Sequence, residues 1–335
     1  MDDFEFRLLN EFQHAFPLHS QPFRTIAGRL GVDVAAVLGA YARLGARGAL
    51  SRIGAVFGPN RVGASTLAAM RVPEERLHEV ARRVSARPEV NHNYEREHEW
   101  NLWFVATAQD AAALAAALGA VERECGLPVM ALPLIEDYHI DLGFDLRDGR
   151  ARVRGARNGG GGPRVLTGAQ RALVAALQRG LPLVARPYAE LGARAGMTEA
   201  EVVALIERWA ADGTIKRFGV VVRHHELGYG ANAMVVWDVP DEEVTAVGHR
   251  VAGADAVTLC YRRPRRLPEW RYNLFCMIHG RDRAQVAGEI EALRARCGLE
   301  RYPYAVLFSR RRFKQRGARY VTGMAESWIP STAPS

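Results

Sequence analysis

The feature that most constrains this chain is that it is written twice. Pro22-Phe23 matches Pro187-Tyr188 at an offset of 165 residues, as do Gly31 with Gly196, Gly48 with Gly213 and Gly63 with Gly228. ALSRIGAVF (49–57) lies against TIKRFGVVV (214–222). Tyr94 meets Tyr261 at an offset of 167, and Cys125-Gly126-Leu127 meets Cys297-Gly298-Leu299 at 172. The growing offset places five extra residues in the second copy, within RRPRRLPEW (262–270). A fixed-period repeat of this length implies one folding unit used in tandem.

Each copy divides into two parts. The first part reads as three helices and a strand pair, expected at Glu5–Phe16, Phe23–Leu30, Asp33–Arg47 and Leu50–Phe57, with the matching segments in the second copy. Glycines after the second and third helices are stop signals, and Thr198 followed by Glu201 is a capping box. This is a winged helix-turn-helix pattern. The second part reads strand, helix, strand pair, helix, strand, the βαββαβ order of a ferredoxin-like domain. The expected fold class is therefore α+β, a tandem duplication. Its expected divisions are a winged helix-turn-helix at 1–60, a ferredoxin-like domain at 61–146, a Gly/Arg linker at 147–164, then 165–223 and 224–320 for the second copy, and a tail at 321–335.

Charge and cysteine usage narrow the function classes. The net charge of +8 divides into −1 over residues 1–162 and +9 over 163–335, and only two lysines occur. Positive charge is thus carried by guanidinium groups, which suit bidentate carboxylate or phosphate recognition. The four cysteines show no CxxC spacing, so neither a zinc site nor a disulfide framework is indicated, and a reducing cytoplasm is expected. No apolar run is long enough for a membrane span. GGGG at 159–162 lacks the context of a dinucleotide fingerprint and reads as linker.

The densest chemistry lies in VNHNYEREHEWNLWFV (90–105), with two imidazoles, an arginine between acids and an aromatic-rich strand. If extended, it places His92, Tyr94, Arg96, His98 and Trp100 on one face; a break near Glu95–Glu99 makes it a hairpin with the titratable groups at its tip. The helices expected to read DNA are poor for that task. The first offers Arg43 and Arg47, and the second sets Glu199, Glu201, Glu207 and Asp212 against Arg208. Duplex affinity needs cations, so these surfaces argue against nucleic acid.

The architecture resembles Lrp/AsnC transcriptional regulators. The long motifs HNYEREHEWNLWFV, RFGVVVRHHELGYGANAMVVWDVPDE, VTLCYRR, YNLFCMIHG and LFSRRRFKQRGARY more specifically resemble the siroheme decarboxylases, a family with two related Lrp/AsnC-like subunits that look fused here. The resemblance spans residues 5–320. It implies a cytoplasmic carboxy-lyase that removes two acetate carboxyl groups from siroheme, giving didecarboxysiroheme for the d1-type haem of denitrifiers. No cofactor beyond the iron-containing substrate is expected, because the macrocycle is its own electron sink. Siroheme is the expected partner. A homodimer and contacts with other haem-synthesis enzymes stay open, as does the alternative of a haem- or siroheme-responsive regulator or transfer protein.

Siroheme bears two carboxylate arms on each ring, so its site needs aromatic walls and fixed cations. The candidate binding residues are Tyr94, Arg96, Trp100, Arg217, Arg223, Tyr261, Arg263, Arg312 and Lys314. The candidate proton donors are His92, His98 and His224, any of which is also a candidate axial ligand of the substrate iron; no protein metal site is expected. His279 reads as structural. The first copy has Pro59 where the second has His224, and the second lacks counterparts of His92 and His98. The expectation is either one composite pocket or one active and one degenerate site.

Overall fold

The computed structural model describes residues 1–140, 162–222 and 231–321. In the first copy the elements are α1 (Asp3–Glu11), α2 (Pro22–Leu30), α3 (Val34–Ala46), β1 (Leu50–Phe57), β2 (Ala64–Met70), α4 (Leu77–Ala86), β3 (Val90–Arg96), β4 (Leu102–Ala108), α5 (Ala111–Cys125), β5 (Met130–Pro133) and β6 (Glu136–Ile140). The second copy contributes α6 (Gly168–Arg179), α7 (Pro187–Ala195), α8 (Glu199–Ala211), β7 (Ile215–Val222), β8 (Ala231–Trp237), α9 (Val244–Ala252), β9 (Val257–Arg262), β10 (Leu274–Gly280), α10 (Arg283–Cys297) and β11 (Tyr304–Gln315).

Local chemistry sets the helix ends. Asp2, Asp33, Asp110 and Asp282 each accept a hydrogen bond from the backbone N–H three residues on. Thr167 and Thr198 form reciprocal capping boxes with Gln170 and Glu201. Gly31 and Gly196, equivalent in the repeat, both close their helices in the left-handed region, where a side chain is disfavoured.

The strands depart from the expected pattern in three instructive ways. Among the described residues, neither copy has a strand pair of its own in the helix-turn-helix part. Instead β1 and β7, one from each copy, pair antiparallel around Gly54 and Gly219. Both helix-turn-helix parts accordingly share one core, in which Phe12, Tyr41, Tyr188 and Trp209 are buried together. Second, β11 runs for twelve residues, long enough to serve both halves. Its first part pairs with β8 of its own half, and its second part pairs with β3 of the other. Third, β6 was not expected at all, and it returns the exchange by pairing with β9.

The result is one nine-stranded sheet in the order β5-β2-β4-β3-β11-β8-β10-β9-β6. Its two end strands, β5 and β6, are separated in sequence only by Leu134 and Ile135, so the order forms a ring. Helices α4 and α5 cover the outer face of the first half, and α9 and α10 that of the second. The inner face is a third core drawn from both halves, including Leu67, Trp103, Leu132, Met234, Phe275 and Leu307.

The exchanged strand β6 packs tightly on its host. A Cβ placed on Gly248 of α9 would collide with the Tyr138 ring of β6. Gly248→Ala should therefore destabilise the protein by about 1–3 kcal/mol, the usual cost of overpacking. In chemical denaturation the loss should be largely recovered when Tyr138→Ala is added; simple additivity would contradict this packing.

Candidate active site

Strand β3 turns its alternate residues into the space between the two halves. The His92 and Tyr94 rings stack with centroids 6.4 Å apart, and the Arg96 guanidinium lies 5.6 Å from the Tyr94 ring centre. Arg96 donates to the Leu307 carbonyl (3.0 Å) and reaches the Met277 sulfur (4.0 Å), both on strands of the second copy. Directly across on β11, Arg312 faces Tyr94 and Gln315 faces His92, and Arg312 donates to the Gln315 side chain at 3.0 Å. Two elements outside this strand pair complete the cluster. Arg52 comes from β1, and His279 from β10, where it follows Phe275 and Met277 at strand spacing.

The electrostatics are unusual for protein interior. Arg96 is 7% exposed, yet no carboxylate among the described residues lies in ion-pair range of Arg96 or Arg52. Burial lowers the Arg52 pKa and pulls that of Arg96 down to about 10, with the Tyr261 and Tyr94 hydroxyls acting in the other direction on Arg96. Burial, and then the positive charge of Arg52, push His92 down to about 4. Burial and Arg96 do the same to His279, whose Nδ1 is 2.9 Å from the Thr258 hydroxyl. Isolated buried cations are costly. Here they are arranged around two neutral imidazoles and a phenol, a composition that suits a multiply charged anion with an apolar body.

The other sequence-selected residues fall elsewhere. The extended face expected to continue from His92 to Trp100 ends at Arg96, and residues 97–101 form the hairpin turn. His98 sits there, four residues of strand and a bend away from His92. Its Nδ1 accepts from the Trp100 backbone N–H (3.1 Å), and its ring packs edge-on to Trp270 at 5.5 Å. Trp100 donates to the Glu269 carbonyl and carries Arg71 over its ring. Both brace the hairpin tip. Arg217 holds the Gln13 and Val220 carbonyls at 3.0 and 2.9 Å inside the helix-turn-helix core. Lys314 points to the opposite face of β11 and donates to the carbonyls of Ser85 and Arg87 at the end of α4. Arg223 and His224 lie outside the described residues. His279, read from sequence as structural, joins the cluster; its alternation with Phe275 and Met277 was the available signal.

The repeat supplies an internal control. At the pseudo-equivalent end, Arg263 lies 4.5 Å over Tyr261 and donates to the Leu132 carbonyl, copying the Arg96–Tyr94 arrangement. The rest diverges. Leu259 stands in the position of His92, and across from Tyr261 stands Asp137 where the first end has Arg312. Asp137 is ion-paired at 2.6 Å to Lys216, whose side chain is 8% exposed, while Arg263, like Arg96, has no carboxylate in ion-pair range among the described residues.

Of the helices expected to meet DNA, the first has its two cations engaged by one acid while their side chains stay more than half exposed. Arg47 and Arg43 of the α3 region both engage buried Glu5, at 2.6 and 3.6 Å. No single helix among the described residues is long and apolar enough to cross a membrane, and no group of three or more metal-ligating side chains occurs among them.

A duplicated ligand-binding chain of the AsnC type, with its helix-turn-helix parts joined into one core, is the class these features define. The profile of the AsnC-like ligand binding domain matches residues 61–139 and 226–314, and that of the siroheme decarboxylase NirDL-like HTH domain matches 5–50 and 170–215. The siroheme decarboxylase NirDL subunit of Paracoccus denitrificans is 47% identical over 322 residues, covering 95% of this chain and 97% of that one. The half-length siroheme decarboxylase NirD subunit of Pseudomonas aeruginosa is 51% identical over 150 residues, 45% of this chain and 100% of its own. A crystal structure of the siroheme decarboxylase NirDL in co-complex with an iron-uroporphyrin III analogue superposes with a TM-score of 0.68 at 28% identity, covering 95% of this chain and 93% of that chain. This chain belongs to the siroheme decarboxylase family.

The depressed histidine pKa values have a measurable consequence. An unfolded imidazole takes its proton near pH 6.5, whereas His92 and His279 take theirs near 4, so between these values the unfolded chain binds more protons. Stability is then full above about pH 6.5 and falls as the pH drops towards 4. Denaturation curves across that range should show the fall, and His92→Gln should flatten it; an identical slope in the variant would contradict the burial of His92.

Proposed function

We propose that this chain is a siroheme decarboxylase, removing two acetate carboxyl groups without an oxidant and supplying didecarboxysiroheme to d1-type haem synthesis. The observation that carries the reading is buried Arg96 with half-buried Arg52 and Arg312 around His92 and His279, and no carboxylate among the described residues in ion-pair range of Arg52 or Arg96. Arg96 and Arg312 are placed to hold carboxylate arms, with Tyr94 as a wall for the macrocycle.

In each decarboxylation the bond between the methylene and carboxylate carbons breaks, carbon dioxide leaves, and the electron pair stays on the methylene carbon, delocalised into the macrocycle. One proton then converts that carbon to a methyl group. His92 is the proposed donor. In the empty site it is neutral at pH 7, because burial and Arg52 oppose its charge. A polycarboxylate seated on the arginines reverses that balance and favours the imidazolium, so the donor is loaded as substrate binds. His279, held by Thr258, is the proposed candidate for the iron or a second proton. Leu259 in place of His92, with Asp137 where the first end has Arg312, supports one site per chain at the His92 end.

Anaerobic incubation with siroheme, followed by mass spectrometry of the tetrapyrrole, should show loss of two carbon dioxide units. His92→Ala should lower turnover by roughly 10²–10⁴-fold while the protein stays folded. Siroheme recovered intact from the parent protein would sink the assignment. Titration with iron uroporphyrin should saturate at one per chain; two per chain would place a working site at the Tyr261 end as well.

A further inference from the structure

Among the described residues, the helix-turn-helix part of this family member reaches the site with Arg52. We infer that Arg52 is a substrate-binding residue: its guanidinium takes a carboxylate of the tetrapyrrole beside His92, so that β1 supplies part of the site. This rests on the tetrapyrrole reading of the site above.

Three observations lead there. First, the repeat pairs Arg52 with Arg217, and the two have diverged. Both donate to the carbonyl three residues on, Arg52 to Ala55 and Arg217 to Val220, each at 2.9 Å. Arg217 also holds the Gln13 carbonyl at 3.0 Å, and no bond to the equivalent Gln178 carbonyl ties Arg52. The arginine held by two carbonyls belongs to the copy with Leu259, and the other to the copy with His92. Second, glycine backbone makes room for Arg52. A Cβ on Gly317 would lie 2.6 Å from its Nη1, and one on Gly180 would lie 2.9 Å from its Cβ. Third, the segment after β11 straps this region. Arg316 donates its backbone N–H to Asn91, the Thr107 hydroxyl donates to the Arg319 carbonyl, and the Tyr320 ring packs on Phe57. That strap brings Arg52 and His92 to one place although they sit in different parts of the fold.

The groups around His92 are Arg52 from β1, Tyr94 from its own strand, Arg312 and neutral Gln315 from β11, and Tyr320 from the strap. Tyr320 is held protonated, its pKa pushed up to about 12 by burial. The charged groups among them are all cations, so none of these described residues favours a charged imidazole in the ligand-free protein. A carboxylate on Arg52 offsets the positive charge that opposes protonation of His92. Arg52 thereby joins substrate capture to protonation of the donor.

The test uses the full chain and iron uroporphyrin, an octacarboxylate, as the probe, so it does not depend on decarboxylation. Arg52→Gln should weaken binding roughly 10–100-fold, the effect of losing one charge-assisted hydrogen bond. Arg52→Lys should recover part of it. In the ligand-free Arg52→Gln protein, the His92 imidazole, followed by NMR and assigned with His92→Gln, should titrate at higher pH than in the parent. A purely bracing role for Arg52 would leave that titration unmoved. Should Arg52→Gln fail to fold, Gly317→Ala decides, since it displaces the guanidinium and keeps the charge; it too should weaken binding. Affinity within twofold of the parent in the folded variant overturns the inference. Loss of siroheme turnover in the parent with Arg52-dependent iron uroporphyrin binding would overturn only the decarboxylase reading.

Discussion

Everything else in this molecule depends on backbone hydrogen bonding between the two copies at their closing strands. β11 serves its own half through β8 and the other half through β3, and β6 does the reciprocal on β9. A sheet edge left bare would expose unpaired N–H and C=O groups. Each half covers such an edge on the other, and the inner core then forms between them. The same exchange orients the arginines. Arg96 is held by the carbonyl of Leu307 on β11 and Arg263 by that of Leu132 on β5, just before β6, each on a strand of the opposite copy. Site geometry is therefore a by-product of how the halves close.

From identical scaffolding the two ends come to carry different sets of charges. One has the Asp137–Lys216 ion pair together with Arg263 on Tyr261. The other sets Arg52 and Arg96 inside with no acid among the described residues and keeps two imidazoles neutral beside them. Charges removed from water without a partner cost several kcal/mol each, which the folded protein has to offset elsewhere. An anionic guest supplies the missing partner, so affinity and the protonation of His92 are coupled through the same carboxylates.

Much of this was legible in the sequence, and the parts that were not share a cause. Repeat offsets, capping residues and strand alternation are local signals, and they located the helices, the hairpin and the two-part units. Thr198 and Glu201 cap α8 as the pattern requires. Tyr94 and Arg96 fall on one face because strand periodicity dictates it. The exchange of strands is not local. RRRFKQ reads as a charged run, and only its pairing with β3 makes it a strand with Arg312 on the inner face and Lys314 on the other. Arg52 escaped for the same reason, since its meeting with His92 is made by tertiary packing across two parts of the fold. Arg217 and Lys314 attracted attention by charge alone, and their carbonyl partners account for them. The hairpin expected from a break near Glu95–Glu99 forms, and its bend after Arg96 leaves His98 at the tip, away from His92.

The strap and closing strand also set a timetable. Arg96 and the Leu307 carbonyl are 211 positions apart, and the Thr107 hydroxyl and the Arg319 carbonyl 212. Synthesis at roughly 5–20 residues per second puts about 10–40 s between the birth of β3 and that of its partner. Throughout that interval the nascent first half has His92 without the wall that faces it. Loop closure over such distances is slow, and the site belongs to the last contacts made. A ribosome-bound chain thus has nowhere to hold an iron macrocycle, and competence arrives only with the completed polypeptide.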